Sequence, residues 1–320
     1  MKVIDIINDA LAKRQTHFAF ELLPPLKGET IGTIYDVIDP LMDFAPSYIN
    51  VTYHREDVKY VERAGGLLER RVIRRRPGTV GISAAIMARY GVEVVPHLIC
   101  GGFTKYDTED ALIEMDFLGL NNVLALRGDA LKTESRFHAS QDGYANAVDV
   151  VHQIADMNHG KYIDGEIDNC HPTNFCVGVA GYPEKHAECP NLELDLQYLK
   201  EKVDAGADYV VTQMFFDNSK YFDFVKRCRQ VGITVPIIPG LKPFSTKNQL
   251  KVLPQTFHVD LPQELVTEVM RCKTSDDVRK VGVEWAVAQA TELKKAGVPV
   301  LHFYTMGRPD SMIEIGKQLF

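Results

Sequence analysis

The sequence of 320 residues contains no run of 18 apolar residues, so no segment of it is expected to span a membrane. Its first 15 residues place Asp5 and Asp9 among alternating polar positions, which is typical of a short amphipathic helix and not of a signal peptide. The six cysteines are scattered, and without a secretion signal they are expected to be reduced thiols of a cytoplasmic protein. The net charge of −7 disfavours a general nucleic-acid surface.

Motifs that define other kinds of site are also missing. No G-x-G-x-x-G follows the first predicted strand, which disfavours a doubly wound dinucleotide-binding sheet. Cys170, Cys176, His186 and Cys189 are spaced as C-x5-C-x9-H-x2-C, without the paired C-x2-C of structural zinc sites, so no metal is expected. The loops after the last two predicted strands contain no glycine cluster, which disfavours a sugar-phosphate substrate.

What the sequence does contain is an alternation of short apolar runs with segments of helical periodicity. Helices are predicted over residues 108–118, 192–205, 219–230 and 275–296, with Thr108 and Ser275 as caps. The apolar runs predicted to be strands are 17–23, 48–53, 93–100, 121–129, 174–183, 209–216, 235–241 and 298–305. Eight strand–helix repeats predict an α/β protein that is a single (β/α)8 TIM barrel over residues 1–320. Long intervals predict insertions after strands two, four and seven, and residues 159–173 have the character of an insertion before strand five.

The ends of these runs are unusually polar. The fourth run breaks from four apolar residues into Arg127-Gly128-Asp129, which by itself reads as an exposed turn. In a (β/α)8 barrel, however, the carboxyl ends of all strands converge on one mouth. Polar residues end seven of the eight runs, so the sequence predicts a functional site there. The residues expected at this mouth are Glu21, Thr52, His97, Arg127, Asp129, Tyr182, His186, Gln213, Tyr304 and Arg308.

Individual residues at the predicted mouth have structural as well as functional interpretations. Glu21 is flanked by apolar side chains that would raise its pKa, which suits a general acid, although it could instead pair with an arginine. His97 taken alone is typical of a satisfied core histidine, and Gln213 is equally compatible with a core amide or a ligand contact. The basic residues within 70–76 are predicted to form a solvated helix end and loop, or else to meet a phosphate or another subunit.

The motifs at the strand ends occur in the order FELLPP, NVTY, PHLIC, LRGD, AGYPEKH, DLQYLKEKVDAGADYVVTQMFFD, IIPGLKP and HFYTMGR. Taken together, they resemble those of the methylenetetrahydrofolate reductases, in the bacterial form that consists of the catalytic barrel. The resemblance implies a barrel with non-covalent FAD. It also implies hydride transfer from NADH or NADPH, through one flavin face in turn, to 5,10-methylenetetrahydrofolate, which gives 5-methyltetrahydrofolate. A homo-oligomer is expected as well.

The resemblance assigns roles to numbered residues. Glu21 would protonate the folate nitrogen that leaves when the five-membered ring opens, and Asp129 would stabilise the resulting cationic iminium. Folate contacts are implied for Glu21, Thr52, Asp129, Gln213, Gln249 and Arg308. Cofactor contacts are implied for Thr52, His97, Arg127, Gly128, Asp129, Tyr144, Ala145, Tyr182, His186, Asp195 and Lys202.

Two positions depart from the pattern of the family. Leu22 and Leu23 stand where two phenylalanines usually follow the glutamate. Leu253 stands at the spacing of an aromatic residue that packs over the folate, so Gln249, one turn earlier, is the better candidate for a folate contact.

Other functions remain open at this level. They are another FAD-containing barrel oxidoreductase, similar to proline dehydrogenase, a pterin-binding methyltransferase barrel without flavin, and an adhesion or scaffold protein that presents Arg-Gly-Asp. No motif selects between NADH and NADPH.

Overall fold

The structure is a computed structural model that describes residues 1–131, 134–165 and 170–320, and its main feature is a closed parallel barrel. Nine strand segments follow the order β10-β11-β1-β2-β5-β6-β7-β8-β9. The strands are β1 (His17–Leu22), β2 (Tyr48–Val51), β3 (Asp57–Glu62), β4 (Leu68–Ile73), β5 (Glu93–Ile99), β6 (Asn122–Leu126), β7 (Cys176–Gly181), β8 (Tyr209–Thr212), β9 (Ile237–Ile238), β10 (Gly240–Leu241) and β11 (Val300–Tyr304). β9 and β10 form one barrel strand interrupted at Pro239; β9 pairs with β8 and β10 with β11, which closes the barrel.

Helices cover the outside of the barrel, and the first of them covers its end opposite the mouth. They are α1 (Val3–Lys13), α2 (Gly32–Ile38), α3 (Thr79–Tyr90), α4 (Lys105–Phe117), α5 (Ala147–Asn158), α6 (Leu192–Asp204), α7 (Asn218–Gln230), α8 (Gln249–Phe257), α9 (Gln263–Arg271), α10 (Ser275–Lys295) and α11 (Asp310–Leu319), with a 3-10 helix at Asp39–Phe44. In the described part of the chain, no helix is both long and apolar enough to cross a membrane.

The predicted (β/α)8 barrel is therefore confirmed, and all eight predicted strands are present. Seven of the eight end earlier than their apolar runs because the chain leaves the sheet at the mouth, whereas the strand formed by β9 and β10 ends at Leu241 as predicted. The caps of two helices are shifted: Thr104 and Thr274, and not Thr108 and Ser275, accept the backbone N–H three residues later. The hydroxyl of Thr108 instead donates to the carbonyl of Thr104, inside the first turn.

The N-terminal helix covers the end of the barrel opposite the mouth. Val3 and Ile7 on α1 are fully buried and pack against barrel-interior side chains that include Tyr48 and Tyr209. The backbone N–H of Val3 also donates to Asn122 Oδ1 at 2.7 Å, where it satisfies a donor that the first helical turn leaves free. The amphipathic pattern of the first 15 residues thus serves to close the barrel floor.

The insertion after β2 is an antiparallel hairpin of β3 and β4, and this corrects the interpretation of the basic segment. Arg70 and Arg71 lie within β4, opposite Tyr60 and Lys59, and do not end a helix. The turn contains Gly65 and Gly66 with φ of +84° and +73°, a left-handed backbone that glycine adopts without steric cost. The strands were missed because a two-stranded hairpin with both faces largely exposed shows no clean alternation of apolar and polar residues.

Residues 159–173, predicted to be an insertion, are described only in part, and 166–169 lie outside the described residues. The described part packs on the outside of the barrel. Ile163 N–H donates to a carboxylate oxygen of Glu109 on α4, and Asn158 Oδ1 at the end of α5 accepts from the Thr173 hydroxyl and the Phe175 N–H.

Gly282 on α10 is the helical glycine at which an added Cβ would make the closest contact. A Cβ at Gly282 would lie 2.0 Å from the carbonyl oxygen of Phe244, which is backbone and cannot rotate away. We expect Gly282→Ala to lower the free energy of unfolding by about 2–4 kcal/mol. The matched control is Gly81→Ala on α3, where a Cβ meets nothing within 4 Å and the better helix propensity of alanine is expected to be neutral or slightly stabilising. Urea denaturation of both variants tests this, and equal midpoints would contradict it.

Candidate functional site

A cavity of about 850 Å³ opens at the carboxyl ends of the barrel strands. Loops after β1, β2, β6, β7 and β8, together with the start of α5, the end of α8 and one face of α6, form its wall. Twelve of the residues predicted for the site line it: Glu21, Thr52, His97, Arg127, Gly128, Asp129, Tyr182, His186, Asp195, Lys202, Gln213 and Tyr304. The convergence of the strand ends therefore brings residues from seven strands and one helix into a single space.

Glu21 is the acid deepest in this cavity. Its side chain is 15% exposed, and burial raises its pKa to about 8. Its Oε2 lies 3.5 Å from Nε2 of His97, whose pKa burial lowers to about 3, with the nearby His302 and His54 adding to the effect. Between these two values both groups are uncharged, so the contact joins a carboxylic acid to a neutral imidazole and is not an ion pair. A carboxyl that keeps its proton at neutral pH can act as a general acid.

The turn after β6 carries Asp129 into the same cavity as Glu21. Gly128 has φ of +83°, and a Cβ there would lie 3.2 Å from the side chain of Ile99. A larger residue would therefore meet both backbone strain and crowding. The left-handed turn lets the chain leave β6 sharply, and Arg127, Gly128 and Asp129 all contact the same cavity.

Cationic side chains occupy the β6–β7–α6 side of the cavity. Arg127 Nη1 lies 2.5 Å from a carboxylate oxygen of Glu188, and its guanidinium packs over the ring of Phe137 at 5.0 Å. Lys202 on α6 donates to the carbonyl oxygen of Ala180 at 2.7 Å, and burial lowers its pKa to about 8. A buried amine next to a solvent-linked cavity is suited to an anionic ligand, because such a ligand would restore the charged form.

Hydrogen-bonding groups lie next to these cations. Asp195 Oδ2 accepts from the backbone N–H of His186 at 3.0 Å, which fixes the loop after β7 to the first turn of α6. The rings of Tyr182 and His186 meet edge to face with centroids 4.7 Å apart. Burial raises the pKa of Tyr182 to about 12, so its hydroxyl stays protonated and available as a donor.

Two further predicted residues keep part of their bonding capacity free. The Oε1 atom of Gln213 accepts from the N–H of Met214 at 2.9 Å, which orients the amide, and the NH2 group of this cavity-lining side chain can still donate to a ligand. The hydroxyl of Thr52 donates to the carbonyl of Leu22 at 3.1 Å and can still accept a hydrogen bond from a ligand.

Four predicted residues lie outside the cavity wall: Tyr144, Ala145, Gln249 and Arg308. The wall near the first two is formed by residues 146–148 at the start of α5. Gln249 Oε1 accepts from the N–H groups of Ser245 and Thr246, so this side chain caps its own loop. Arg308 is exposed beyond Met306, which does line the cavity.

Sequence reasoning also missed residues that the structure places at the site. Phe257, at the end of α8, lines the cavity, whereas Leu253 is buried in a side cluster with Phe244 and Val259. Phe257, one turn after Leu253 on α8, packs against the same side cluster and is the aromatic residue of this helix at the cavity. Asn50 on β2 lies beneath the wall with its amide 3.2 Å from His97 Nε2. Its position inside a fully buried strand, a place where amides are uncommon, was the available signal.

No group of three or more His, Cys, Asp or Glu side chains that could hold a metal ion occurs among residues 1–131, 134–165 and 170–320. Of the cysteines considered above, Cys176 is fully buried at the base of the barrel, and Cys189 is in the cavity wall.

The fold and the site define a class first: a (β/α)8-barrel protein whose C-terminal mouth combines an uncharged buried acid with cations and hydrogen-bond donors suited to a large anionic ligand. Within that class the chain belongs to the methylenetetrahydrofolate reductase family, whose model it matches over residues 6–320.

Relatives from plants and bacteria support this assignment. "Methylenetetrahydrofolate reductase (NADH) 1" of Arabidopsis thaliana is 31% identical over 98% of this chain and 50% of its own length. "5,10-methylenetetrahydrofolate reductase" of Salmonella typhimurium is 29% identical over 96% of this chain and 92% of its own length. The chain thus spans about half the length of the plant relative and nearly all of the bacterial one.

A solved structure shows the same fold. A Clostridium thermocellum protein, described as binding two copies of 5-methyl-5,6,7,8-tetrahydrofolic acid, superposes with a TM-score of 0.57 at 13% identity, over 98% of this chain and 97% of its own.

Proposed function

We propose that this protein reduces 5,10-methylenetetrahydrofolate to 5-methyltetrahydrofolate, with NADH or NADPH as hydride donor and non-covalent FAD as the carrier between them. The observation that carries the proposal is the pair of acids at the mouth: Glu21, held uncharged by burial, and Asp129 in the same cavity. Reduction of this substrate calls for one acid that gives a proton and one that faces a positive charge.

The cavity residues fit the cofactor. Arg127 and Lys202 offer cationic groups to a diphosphate, and Gly128 allows the backbone to approach a flat ring without a side chain between them. Asp195 lines the same cavity and would accept hydrogen bonds from ribose hydroxyls. When bound, the flavin would supply the capacity to accept a hydride from a nicotinamide and to pass it to the folate. Arg127 would have to exchange Glu188 for the phosphate.

The proton chemistry belongs to the protein. The amine nitrogen of methylenetetrahydrofolate is a poor leaving group until it is protonated, and the un-ionised Glu21 can give it that proton as the C–N bond breaks. The carbon left behind becomes part of a cationic iminium. The carboxylate of Asp129 would stabilise this cation, and the apolar wall around Leu126 and Phe257 would limit competing hydration.

The proposed hydride donor is NADH or NADPH, with no choice made between the two. Relatives are named for each: the Arabidopsis thaliana protein for NADH and a "Probable methylenetetrahydrofolate reductase (NADPH)" of Caenorhabditis elegans, 29% identical over 98% of this chain and 43% of its own length.

We expect the purified protein to be yellow and to release FAD, without a covalent link, when it is denatured. The reason is the combination of Arg127, Lys202 and Asp195 in one cavity. Absorbance spectroscopy and chromatography of the released chromophore check this result. Lys202→Met should weaken flavin retention because it removes a buried cation, whereas the exposed Lys220→Met should not. A colourless protein that ignores added FAD would overturn the proposal.

The substrates that reduce and reoxidise the flavin then distinguish the competing functions. Reoxidation by methylenetetrahydrofolate, with formation of 5-methyltetrahydrofolate, supports the proposed reaction. A flavin that proline reduces and folate does not reoxidise would point to an oxidoreductase similar to proline dehydrogenase.

A further inference from the structure

The barrel interior directly below the cavity contains an unusual concentration of unpaired polar atoms. Among the described residues, eight buried side-chain nitrogen or oxygen atoms lack a hydrogen-bond partner, and five of them belong to Tyr48, Asn50, Tyr209 and His302 inside the barrel. Polar side chains are uncommon in a barrel interior, and those that are buried there are normally hydrogen-bonded.

Asn50 and His97 connect this interior to the acid. His97 Nε2 lies 3.5 Å from Glu21 Oε2 and 3.2 Å from Asn50 Nδ2. Asn50 is fully buried, and β1 and β2 pair so that it is the direct neighbour of Glu21 across the sheet. The three side chains therefore form one contiguous set on β1, β2 and β5.

We propose, as a deepening that rests on the proposed function, that Asn50 and His97 are positioning residues that keep Glu21 protonated and aimed at the cavity. An amide can fill the space next to the imidazole and hydrogen bond to it without introducing charge. Because His97 is neutral, no cation lies next to Glu21 to favour loss of the proton from its carboxyl. The other titratable groups facing this set are His54 from the loop after β2, and His302 and Tyr304 from β11.

The chemical identity of residue 50 is decisive in this arrangement. A carboxylate there would lie against His97 Nε2 and favour the imidazolium. The imidazolium would in turn favour the ionised form of Glu21, and the acid needed for ring opening would be lost. The ring of His302 on β11 stacks on Tyr48 with centroids 6.3 Å apart and borders Tyr304 at 5.2 Å. Burial lowers the pKa of His302 to about 3, so this histidine supplies no cation that would compensate for such a change.

The test compares Asn50→Asp with the parent by two readouts. Difference infrared spectroscopy follows the carbonyl band of protonated Glu21, assigned by its loss in Glu21→Gln. Stopped-flow absorbance follows reduction of bound flavin by NADH or NADPH, and then its reoxidation by methylenetetrahydrofolate. We expect the infrared titration midpoint to fall by two pH units or more, reoxidation near pH 7 to slow at least tenfold, and flavin reduction to stay close to parent.

Asn122→Asp provides the matched control. It is the same substitution at a fully buried amide of a barrel strand, but Asn122 lies at the opposite end, bonded to Val3 and Glu93. It should leave the Glu21 band and both half-reactions as in the parent.

Asn50→Leu provides a second test in case the Asn50→Asp variant does not fold. It keeps the approximate shape, removes the hydrogen bond to His97 and adds no charge, so it should slow reoxidation about tenfold and leave the infrared midpoint within one unit of the parent. The proposal is overturned if Asn50→Asp leaves the midpoint unchanged or if both variants reoxidise at the parent rate. If the parent itself fails to reduce folate, the proposed function fails, and the infrared titration still decides whether Asn50 and His97 hold the proton on Glu21.

Discussion

Replacing Glu21 by glutamine is expected to slow reoxidation of the reduced flavin by methylenetetrahydrofolate by roughly 10²–10⁴-fold, the usual contribution of a general acid. Reduction of the flavin by the nicotinamide should remain close to the parent rate. Glutamine preserves the shape of the side chain beside His97 but carries no transferable proton. Hydride delivery to the flavin needs no proton from this residue, whereas expulsion of the folate amine does.

The pH dependence of flavin reoxidation in the parent protein should report the ionisation of Glu21. Burial raises the pKa of Glu21 to about 8, so the acid form is complete at lower pH and is lost as the pH rises through that value. The rate of reoxidation should therefore fall above about pH 8 in the parent, and this fall should be absent from the residual rate of Glu21→Gln. Stopped-flow measurement of each half-reaction across pH 6–10 checks both expectations.

Glu184→Gln is the control for this experiment. Burial also raises the pKa of Glu184, to about 7, but this side chain lies outside the cavity wall and accepts a hydrogen bond from the N–H of Asp260. Its replacement should leave both half-reactions unchanged. If Glu21→Gln reduced folate at close to the parent rate, Glu21 would have a structural role, and the proton would have to come from another group.

Asp129→Asn is the second substitution with a large expected effect. It should keep the flavin bound and slow reduction of the folate by about 10²–10³-fold, or about 3 kcal/mol of transition-state stabilisation, as for other preorganised electrostatic groups. The amide retains hydrogen-bonding capacity at the turn after Gly128 but cannot stabilise a developing cation. Reduction of the flavin by the nicotinamide in the same variant serves as the internal control. Equal slowing of both half-reactions would instead assign Asp129 to general tuning of the flavin.

Much of the fold was predictable because its signals are local. Buried parallel strands appear as continuous apolar runs, and the helices between them have capping residues and a period near 3.6, so eight repeats sufficed to predict the (β/α)8 barrel. Glu21, His97 and Asp129 could also be predicted at one mouth, because parallel strands that close into a barrel bring their carboxyl ends together. The roles of these residues in catalysis remain predictions.

Pairings between distant parts of the chain were decided only by the tertiary structure. Asn50 and His97 are 47 positions apart, and Arg127 and Glu188 are 61 apart, yet each pair is in contact. The position of α8, which buries Leu253 in the cluster around Phe244 and brings Phe257 to the cavity wall, depends on how that cluster packs. The sequence by itself determined which segments become strands and which strand ends carry polar groups, since these follow from local periodicity. Which polar groups meet, and which of them lose their charge, depends on distances and burial that exist only once the barrel has closed.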